Sequence, residues 1–233
     1  MIYHPEDTSE TGNDSGMKAV LIFSGGLDST TLLYDLIHQG YEVSTVTFDY
    51  SQKHKKEILC AQKTCAKLRI PHKIVGLSVL NDLAPSSLTR DAWEVPEGHY
   101  AEETMKQTVV PNRNMVFLSL AAAYAIGIGA GHLCYAAHAG DHAIYPDCRP
   151  AFVSAMTTAM HLCDWNDIVL HAPYLWLSKG DIVKKGIALG VDYADTWSCY
   201  KGGELPCGKC GACTERLEAF GEAGATDPLE YAQ

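Results

Sequence analysis

A buried β-strand that leads through a glycine turn into a helix restricts the possible folds of this chain more than any other segment. Residues 19–23 form a continuous apolar run, which is typical of a parallel strand covered on both faces. The hexapeptide Ser24–Ser29 (SGGLDS) interrupts this run, and leucines at helical spacing then continue up to Gly40. This junction predicts a βαβ unit and therefore a parallel sheet.

The same alternation of strand and helix continues along the chain. Further strands are predicted at 43–48, 73–77, 133–137 and 168–171, and helices at 54–68, 114–126, 150–162 and 179–189. We therefore expect the α/β class, with a Rossmann-like, doubly wound parallel sheet over residues 17–195. Residues 78–110 are irregular, and a loop of this length is usually a lid, a binding loop or a partner contact.

Composition and charge narrow the functional class. The chain has 233 residues, of which 47% are hydrophobic, and 18 basic against 28 acidic residues give a net charge of -10. This balance argues against a nucleic-acid-binding protein, because each neutralised phosphate needs a cation. No apolar run reaches the ~20 residues that a membrane helix needs. Residues 1–16 are polar and acidic, so we expect a disordered leader rather than a signal peptide, and a cytoplasmic protein.

The SGGLDS turn has the chemistry of an anion site. Glycines let the backbone turn tightly, and the following helix offers free N–H groups and a partial positive charge. Ser24 and Ser29 add hydroxyl donors. Asp28 is an acceptor in this setting, so it acts either through Mg²⁺ or as the helix N-cap. The segment is not a Walker A loop, because no Gly-Lys-Ser/Thr follows.

Four of the nine cysteines cluster near the C-terminus. Cys199, Cys207, Cys210 and Cys213 are spaced C-x7-C-x2-C-x2-C, and two-residue gaps let neighbouring thiolates bind one ion. Four sulfurs suit structural Zn²⁺, although an iron–sulfur cluster uses the same ligands. We therefore expect a small zinc-binding appendage over 196–233, with one zinc per chain. Of the other five, the cysteines at 60, 65, 134 and 163 are expected in the core.

Several motifs together resemble one family. The SGGLDS turn is similar to the PP-loop of ATP pyrophosphatases, whose fold is described as adenine nucleotide alpha-hydrolase-like. Within that superfamily the chain resembles the 7-cyano-7-deazaguanine synthase (QueC) family. The similar segments, in order, are 48–54 (FDYSQKH) with Glu57, 86–91 (SSLTRD), 110–114 (VPNRN), 145–149 (YPDCR) with Phe152, and 196–200 (TWSCY) with 207–210 (CGKC). The resemblance covers roughly residues 18–220.

Two segments depart from the pattern of this family. Ser51 stands where glycine is commoner, and residues 139–144 (AGDHAI) precede YPDCR where many members differ. Asp141 and His142 could therefore mark a subfamily with a changed product or partner.

The resemblance implies a reaction. ATP adenylates the carboxylate of 7-carboxy-7-deazaguanine, ammonia converts it to an amide, and a second activation yields the nitrile. The phosphate loop would then bind ATP with Mg²⁺ through Phe23, Ser24, Gly25, Gly26, Leu27, Asp28, Ser29 and Thr30. Catalytic roles would fall on Asp28, Arg113, Arg149 and Lys179, and substrate contacts on Arg90, Asn114, Asp141 and Asp147. The substrates are small molecules, and a homodimer is implied.

Plainer interpretations stay open for several of these residues. Arg113 could cap a helix, Lys179 could be a solvated first-turn residue, and Arg149 could simply pair with Asp147. His54 is about as consistent with a solvated helix start as with substrate contact. The four tryptophans are expected in the core. Alternative functions are a PP-loop enzyme that stops at the amide or uses another acceptor, and a zinc-dependent protein that binds or thiolates tRNA.

Overall fold

The computed structural model describes residues 17–90, 92–99 and 103–232, so the predicted leader at 1–16 lies outside the described residues. Within these ranges, five parallel strands form one sheet with the order β3-β2-β1-β4-β5. The strands are β1 (Lys18–Ile22), β2 (Glu42–Asp49), β3 (His72–Gly76), β4 (His132–Cys134) and β5 (Val169–His171). The doubly wound α/β prediction is confirmed.

Helices connect and cover the strands. They are α1 (Leu27–His38), α2 (Lys56–Leu68), α3 (Val79–Leu83), α4 (Arg113–Gly127), α5 (Pro150–His161), α6 (Lys179–Ala188) and α7 (Gly211–Glu222). Short 3₁₀ helices occur at Glu103–Thr108, Ala139–Ala143, Pro146–Cys148 and Tyr193–Asp195. No helix in the described ranges combines the length and apolar character needed to cross a membrane.

Each face of the sheet has its own apolar core. Along β1, Val20 packs into one core, and Ala19 and Leu21 pack into the other. Successive side chains of a strand point to opposite faces, so a strand covered on both sides must be apolar at every position. This explains why residues 19–23 read as one continuous apolar run.

The four-cysteine region is joined closely to the rest of the fold. Helix α7 packs against α6, and its Ala219 and Phe220 enter the core that contains Leu21. Arg216 of α7 is fully buried and forms a bidentate ion pair with Asp227, with N–O distances of 2.7 and 3.0 Å. The C-terminal region therefore completes the main core instead of lying beside it.

The long loop is only partly irregular. It contains α3 and the 3₁₀ turn Glu103–Thr108, and residues 86–89 are buried. The backbone of Glu97 pairs with that of Cys210, so the loop is fastened to the four-cysteine region.

Some expectations about the core were wrong. Trp197 is buried, but Trp165 and Trp176 are 101% and 74% exposed and Trp93 is half exposed. Cys163 is exposed as well. These positions lie in loops beyond the ends of helices and strands, where hydrophobic residue type alone does not imply burial.

Candidate active site

The strand order reverses between β1 and β4, and a cavity of about 240 Å³ lies there. Connections from β1 lead outward to β3, and the chain then crosses back to β4. Ligands of open α/β sheets bind in the crevice that this reversal leaves at the carboxyl ends of the strands. The cavity is lined by residues that follow β1, β2 and β4, by the first residues of α4 and α6, and by Trp197, Ser198 and Tyr200.

The phosphate loop forms one side of the cavity. Gly25 has φ +90°, and a Cβ at this position would lie 2.6 Å from the backbone nitrogen of Ala61 in α2. Glycine is therefore required here by conformation and by the close approach of α2. Ser24 Oγ accepts from Gly26 N at 3.1 Å and lies 3.1 Å from Ser29 Oγ. Gly26 caps α1 without a side-chain hydrogen bond, which leaves the first N–H groups of α1 available to an anion, and residues 26–29 line the cavity.

Asp28 faces the cavity and does not cap its own helix. Its Oδ2 lies 3.4 Å from Lys179 Nζ and 3.8 Å from His138 Nε2. Its Oδ1 is buried without a hydrogen-bond partner. A buried carboxylate oxygen that lacks a donor is costly unless a ligand or cation completes it. Of the two interpretations of Asp28, the ligand-directed one therefore fits, and the N-cap one does not.

Lys179 lies at the start of α6 and points into the same cavity. The Ser178–Asp181 capping box fixes this helix start, and the Lys179 side chain is only 14% exposed. Its Nζ lies 2.5 Å from Glu215 Oε2 of α7. Burial alone would lower the pKa of Lys179, but Asp28, Glu215 and Asp141 outweigh it and the pKa is raised. Lys179 is thus a buried cation instead of a solvated first-turn residue.

Helix α4 packs on the opposite face of the sheet from α1 and α6, and its start brings Arg113 and Asn114 to the opposite wall of the cavity. Burial would lower the pKa of Arg113, but Tyr50 and Asp147 raise it, so the guanidinium stays charged. Asp147 Oδ2 accepts from Asn114 N at 3.0 Å, and it lies outside the cavity lining. Asp147 therefore satisfies the N-terminus of α4, which is a structural role that the motif alone did not reveal.

The predicted arginines on either side of this region do not line the cavity. Arg149 is exposed, and its Nε donates to the carbonyl of His142 at 2.8 Å. Arg90 donates to the carbonyl of Asn81 at 3.3 Å. Asp141 does line the cavity, 3.5 Å from His138 Nε2. The catalytic role of Arg149 and the substrate roles of Arg90, Asp141 and Asp147 stay predictions.

The structure adds cavity residues that sequence reasoning did not assign. The FDYSQKH segment contributes Tyr50, Gln52 and His54, and Glu57 of α2 lies beside them. His54 is 4% exposed, which rules out the solvated interpretation. The position of this segment directly after β2 was the available signal, because carboxyl ends of parallel strands share one edge of the sheet.

Ser51 in the same segment adopts φ +64°. This is the left-handed region that glycine enters freely, which explains why glycine is commoner at this position. The hydrogen bond from Ser51 N to Asp49 Oδ1, at 3.0 Å, helps to hold the turn.

The four C-terminal cysteines lie close together, as their spacing predicted. The sulfurs of Cys199, Cys207, Cys210 and Cys213 all lie within 4.8 Å of one another. Zinc–sulfur bonds of about 2.3 Å in a tetrahedron place sulfurs about 3.8 Å apart, so the donor set fits such an ion. Hydrogen bonds from Cys210 and Cys213 lower the pKa of Cys199. Backbone N–H groups of Lys209 and Cys210 also point at Cys207 Sγ. This cluster suggests a metal such as zinc.

Comparisons with known proteins show the family to which this chain is similar. The family model described as queuosine biosynthesis protein QueC matches residues 18–224. A curated 7-cyano-7-deazaguanine synthase from Methanoregula boonei is 86% identical over 92% of this chain and 99% of its own length. One from Caldicellulosiruptor saccharolyticus is 62% identical over 92% and 96% of the two chains.

A solved structure supports the fold. A 4-thiouridine synthetase, crystallised as an RNA complex with bound ATP, matches with a TM-score of 0.50 at 18% identity. The match covers 89% of this chain and 50% of that one. At this identity the likeness concerns the fold alone.

Proposed function

This chain belongs to the QueC family, and from that premise we propose that it converts 7-carboxy-7-deazaguanine and ammonia to 7-cyano-7-deazaguanine with ATP. Its function is that of a 7-cyano-7-deazaguanine synthase in queuosine biosynthesis. We further propose a course for this reaction, roles for individual residues and the cofactors that they bind.

The observation that carries the mechanism is the group of charges around the phosphate loop. The first turn of α1 offers N–H groups and Lys179 offers an ammonium on the same side of the cavity, where a triphosphate with its cation would need donors. Asp28, with its unpartnered Oδ1, would hold Mg²⁺, which would neutralise phosphate charge during adenylyl transfer. Lys179 would stabilise the departing pyrophosphate.

The carboxylate substrate needs activation because ammonia cannot expel oxide from it. Adenylation replaces that leaving group with AMP, and the same loop serves a second activation of the amide oxygen. Arg113 and Asn114 on the opposite wall would orient the acid against the nucleotide. The protein's contribution is therefore positioning and charge stabilisation, with no covalent enzyme intermediate required.

We also propose that the bound metal is one structural Zn²⁺ per chain, held by the four cysteines. A complete shell of four thiolates leaves no open position for a substrate. The cluster packs with Leu88, Val95 and Trp197, so the ion would join the long loop to the end of the chain.

Assembly and location are further parts of the proposal. We propose a cytoplasmic homodimer that does not act on nucleic acid. The net charge of -10 supports the last point, and the exposed Leu162 and Trp165 provide apolar surface that a second copy would cover. Light scattering of the purified protein, together with a tRNA gel shift at low salt, tests these statements.

One assay tests the reaction. Purified protein is incubated with ATP, Mg²⁺, ammonium and 7-carboxy-7-deazaguanine, and product and nucleotide are analysed by mass spectrometry. We expect the nitrile mass together with AMP. Accumulation of the amide alone would indicate the variant that stops early, and no nucleotide consumption with this acid would refute the proposal.

A further inference from the structure

We infer that His54 and Glu57 form a proton-accepting pair in this cavity, with His54 Nδ1 as the base that takes the proton from ammonia during amide formation. This inference rests on the proposed function. It names a catalytic residue, His54, and a positioning residue, Glu57, for one step of that reaction.

The amination step requires a base. Ammonia attacks the carbonyl carbon of the acyl adenylate, a C–N bond forms and the C–O bond to AMP breaks. The attacking nitrogen must lose one proton to become a neutral amide nitrogen, while AMP leaves with the electron pair of the broken bond. A side chain that accepts this proton at the moment of attack typically accelerates such a step by about 10²–10⁴-fold.

The geometry of His54 suits this task. Its Nε2 lies 3.3 Å from Glu57 Oε2, which favours the tautomer with the proton on Nε2. Its Nδ1 is then a lone-pair acceptor, and it is buried with no hydrogen-bond partner in the described structure. The His54 side chain is 5% exposed and lines the cavity. A buried ring nitrogen without a partner in a ligand cavity indicates that the ligand supplies the partner.

The pair also lies where the reacting carbon must be. That carbon is linked through one oxygen to the α-phosphorus, so it must lie next to the loop that binds the phosphates. Glu57 lies beside this loop, because a Cβ added to Gly26 would lie 2.8 Å from Glu57 Oε1.

The other histidine of the cavity, three of its tyrosines and its cysteine are less suited to accept the proton. His138 Nδ1 already accepts from Gly140 N at 3.1 Å, and its Nε2 faces the carboxylates of Asp28 and Asp141. His138 therefore has no free lone pair. Burial raises the pKa values of Tyr50, Tyr145 and Tyr200, and raises that of Cys148 well above its usual value, so these groups stay protonated.

The test separates activation of the acid from its amination. Substrate-dependent ATP–pyrophosphate exchange without ammonia measures adenylation, and amide formation with ammonium measures amination. His54→Gln should keep exchange close to the wild-type rate and lower amination by about 10²-fold or more. Glu57→Gln should show the same pattern with a smaller loss. His161→Gln, an exposed histidine at the end of α5, is the matched control and should leave both rates unchanged.

A second measurement uses hydroxylamine as the nucleophile. A purely structural defect would lower the rate equally with both nucleophiles. Hydroxylamine is much less basic than ammonia, so its nitrogen becomes more acidic on attack and loses its proton with less help from a base. The defects of His54→Gln and Glu57→Gln should therefore shrink markedly. Amination by His54→Gln near the wild-type rate would overturn the inference. An equal loss of exchange and amination, or an equal loss with both nucleophiles, would overturn it too. Wild-type protein that shows no acid-dependent exchange would instead refute the proposed function.

Discussion

The ammonium of Lys179 lies 2.5 Å from the carboxylate of Glu215, and this contact joins the cavity to the helix that follows the four cysteines. Lys179 also approaches Asp28 of the phosphate-loop helix, at 3.4 Å. Three segments far apart in sequence therefore converge on one buried cation. The C-terminal region thus contributes to the charge balance of the active site as well as to the core.

Replacing Lys179 should damage both stability and activity. Lys179→Met leaves the carboxylates of Asp28 and Glu215 without their cation, and breaking a buried pair of this kind costs about 3–5 kcal/mol of unfolding free energy. ATP-dependent turnover should fall by about 10²-fold or more, because a preorganised charge near the phosphates is lost. Urea unfolding and steady-state kinetics measure the two effects. Lys184→Met, on the exposed side of the same helix, should change neither.

The pH dependence of this stabilisation follows from the raised pKa of Lys179. Burial opposes the charge, but the carboxylates of Asp28, Glu215 and Asp141 prevail. Because the folded pKa lies above the unfolded one, the stabilisation is complete below the unfolded pKa of roughly 10.4 and is lost only as pH rises through the folded value. The difference in unfolding free energy between the wild type and Lys179→Met should therefore stay constant between about pH 7 and 9.

Cys148 should not act as a nucleophile. Burial raises the pKa of its thiol, and Asp141 and Asp147 raise it further, so the reactive thiolate is not formed at neutral pH. Cys148→Ser should retain most of the activity, and iodoacetamide should label the exposed Cys163 well before Cys148. Peptide mapping after brief alkylation measures the order. Rapid labelling of Cys148 with matching loss of activity would contradict this assignment.

Loss of one cysteine ligand should release the metal and loosen the fold. Cys210 is the N-cap residue of α7 and belongs to the core cluster around Trp197, so Cys210→Ser should lower metal content, melting temperature and activity together. Elemental analysis should find one zinc per wild-type chain. Cys163→Ser is the matched control because this thiol is exposed and distant in sequence from the cluster. A Cys210→Ser protein with full metal content and an unchanged melting temperature would refute the four-thiolate site.

The buried Arg216–Asp227 pair should be essential to the C-terminal region. Arg216 also donates to Thr196 Oγ1 at 2.8 Å and to the carbonyl of Tyr193 at 3.1 Å. Arg216→Met leaves the buried Asp227 carboxylate without its cation, with Leu229 N and the Tyr231 hydroxyl as remaining donors, which should cost about 3–5 kcal/mol. Combining it with Asp227→Asn removes that charge and should restore part of the loss. Thermal unfolding of the two single variants and the double variant tests this coupling.

Local sequence patterns determined the elements of the fold and the two strongest motifs. The apolar run at 19–23, the glycine turn at Gly25 and the spacing of the four cysteines each depend on near neighbours in the chain. Their conformations follow from backbone sterics, burial on both faces and ligand spacing, so the parallel sheet, the phosphate loop and the cysteine cluster could be predicted.

Tertiary structure alone decided which side chains share the cavity. Asp147 and Arg149 belong to a motif that suggested catalysis. Asp147, however, accepts a hydrogen bond from a backbone N–H at the start of α4, and Arg149 donates to the backbone carbonyl of His142. Glu215, in contrast, stood in no motif and reaches Lys179 from 36 residues away. Such contacts depend on how helices pack across the sheet, and a pattern of neighbouring residues carries no information about that distance. Sequence therefore specified the chemistry available to this protein, and packing selected the groups that face one another.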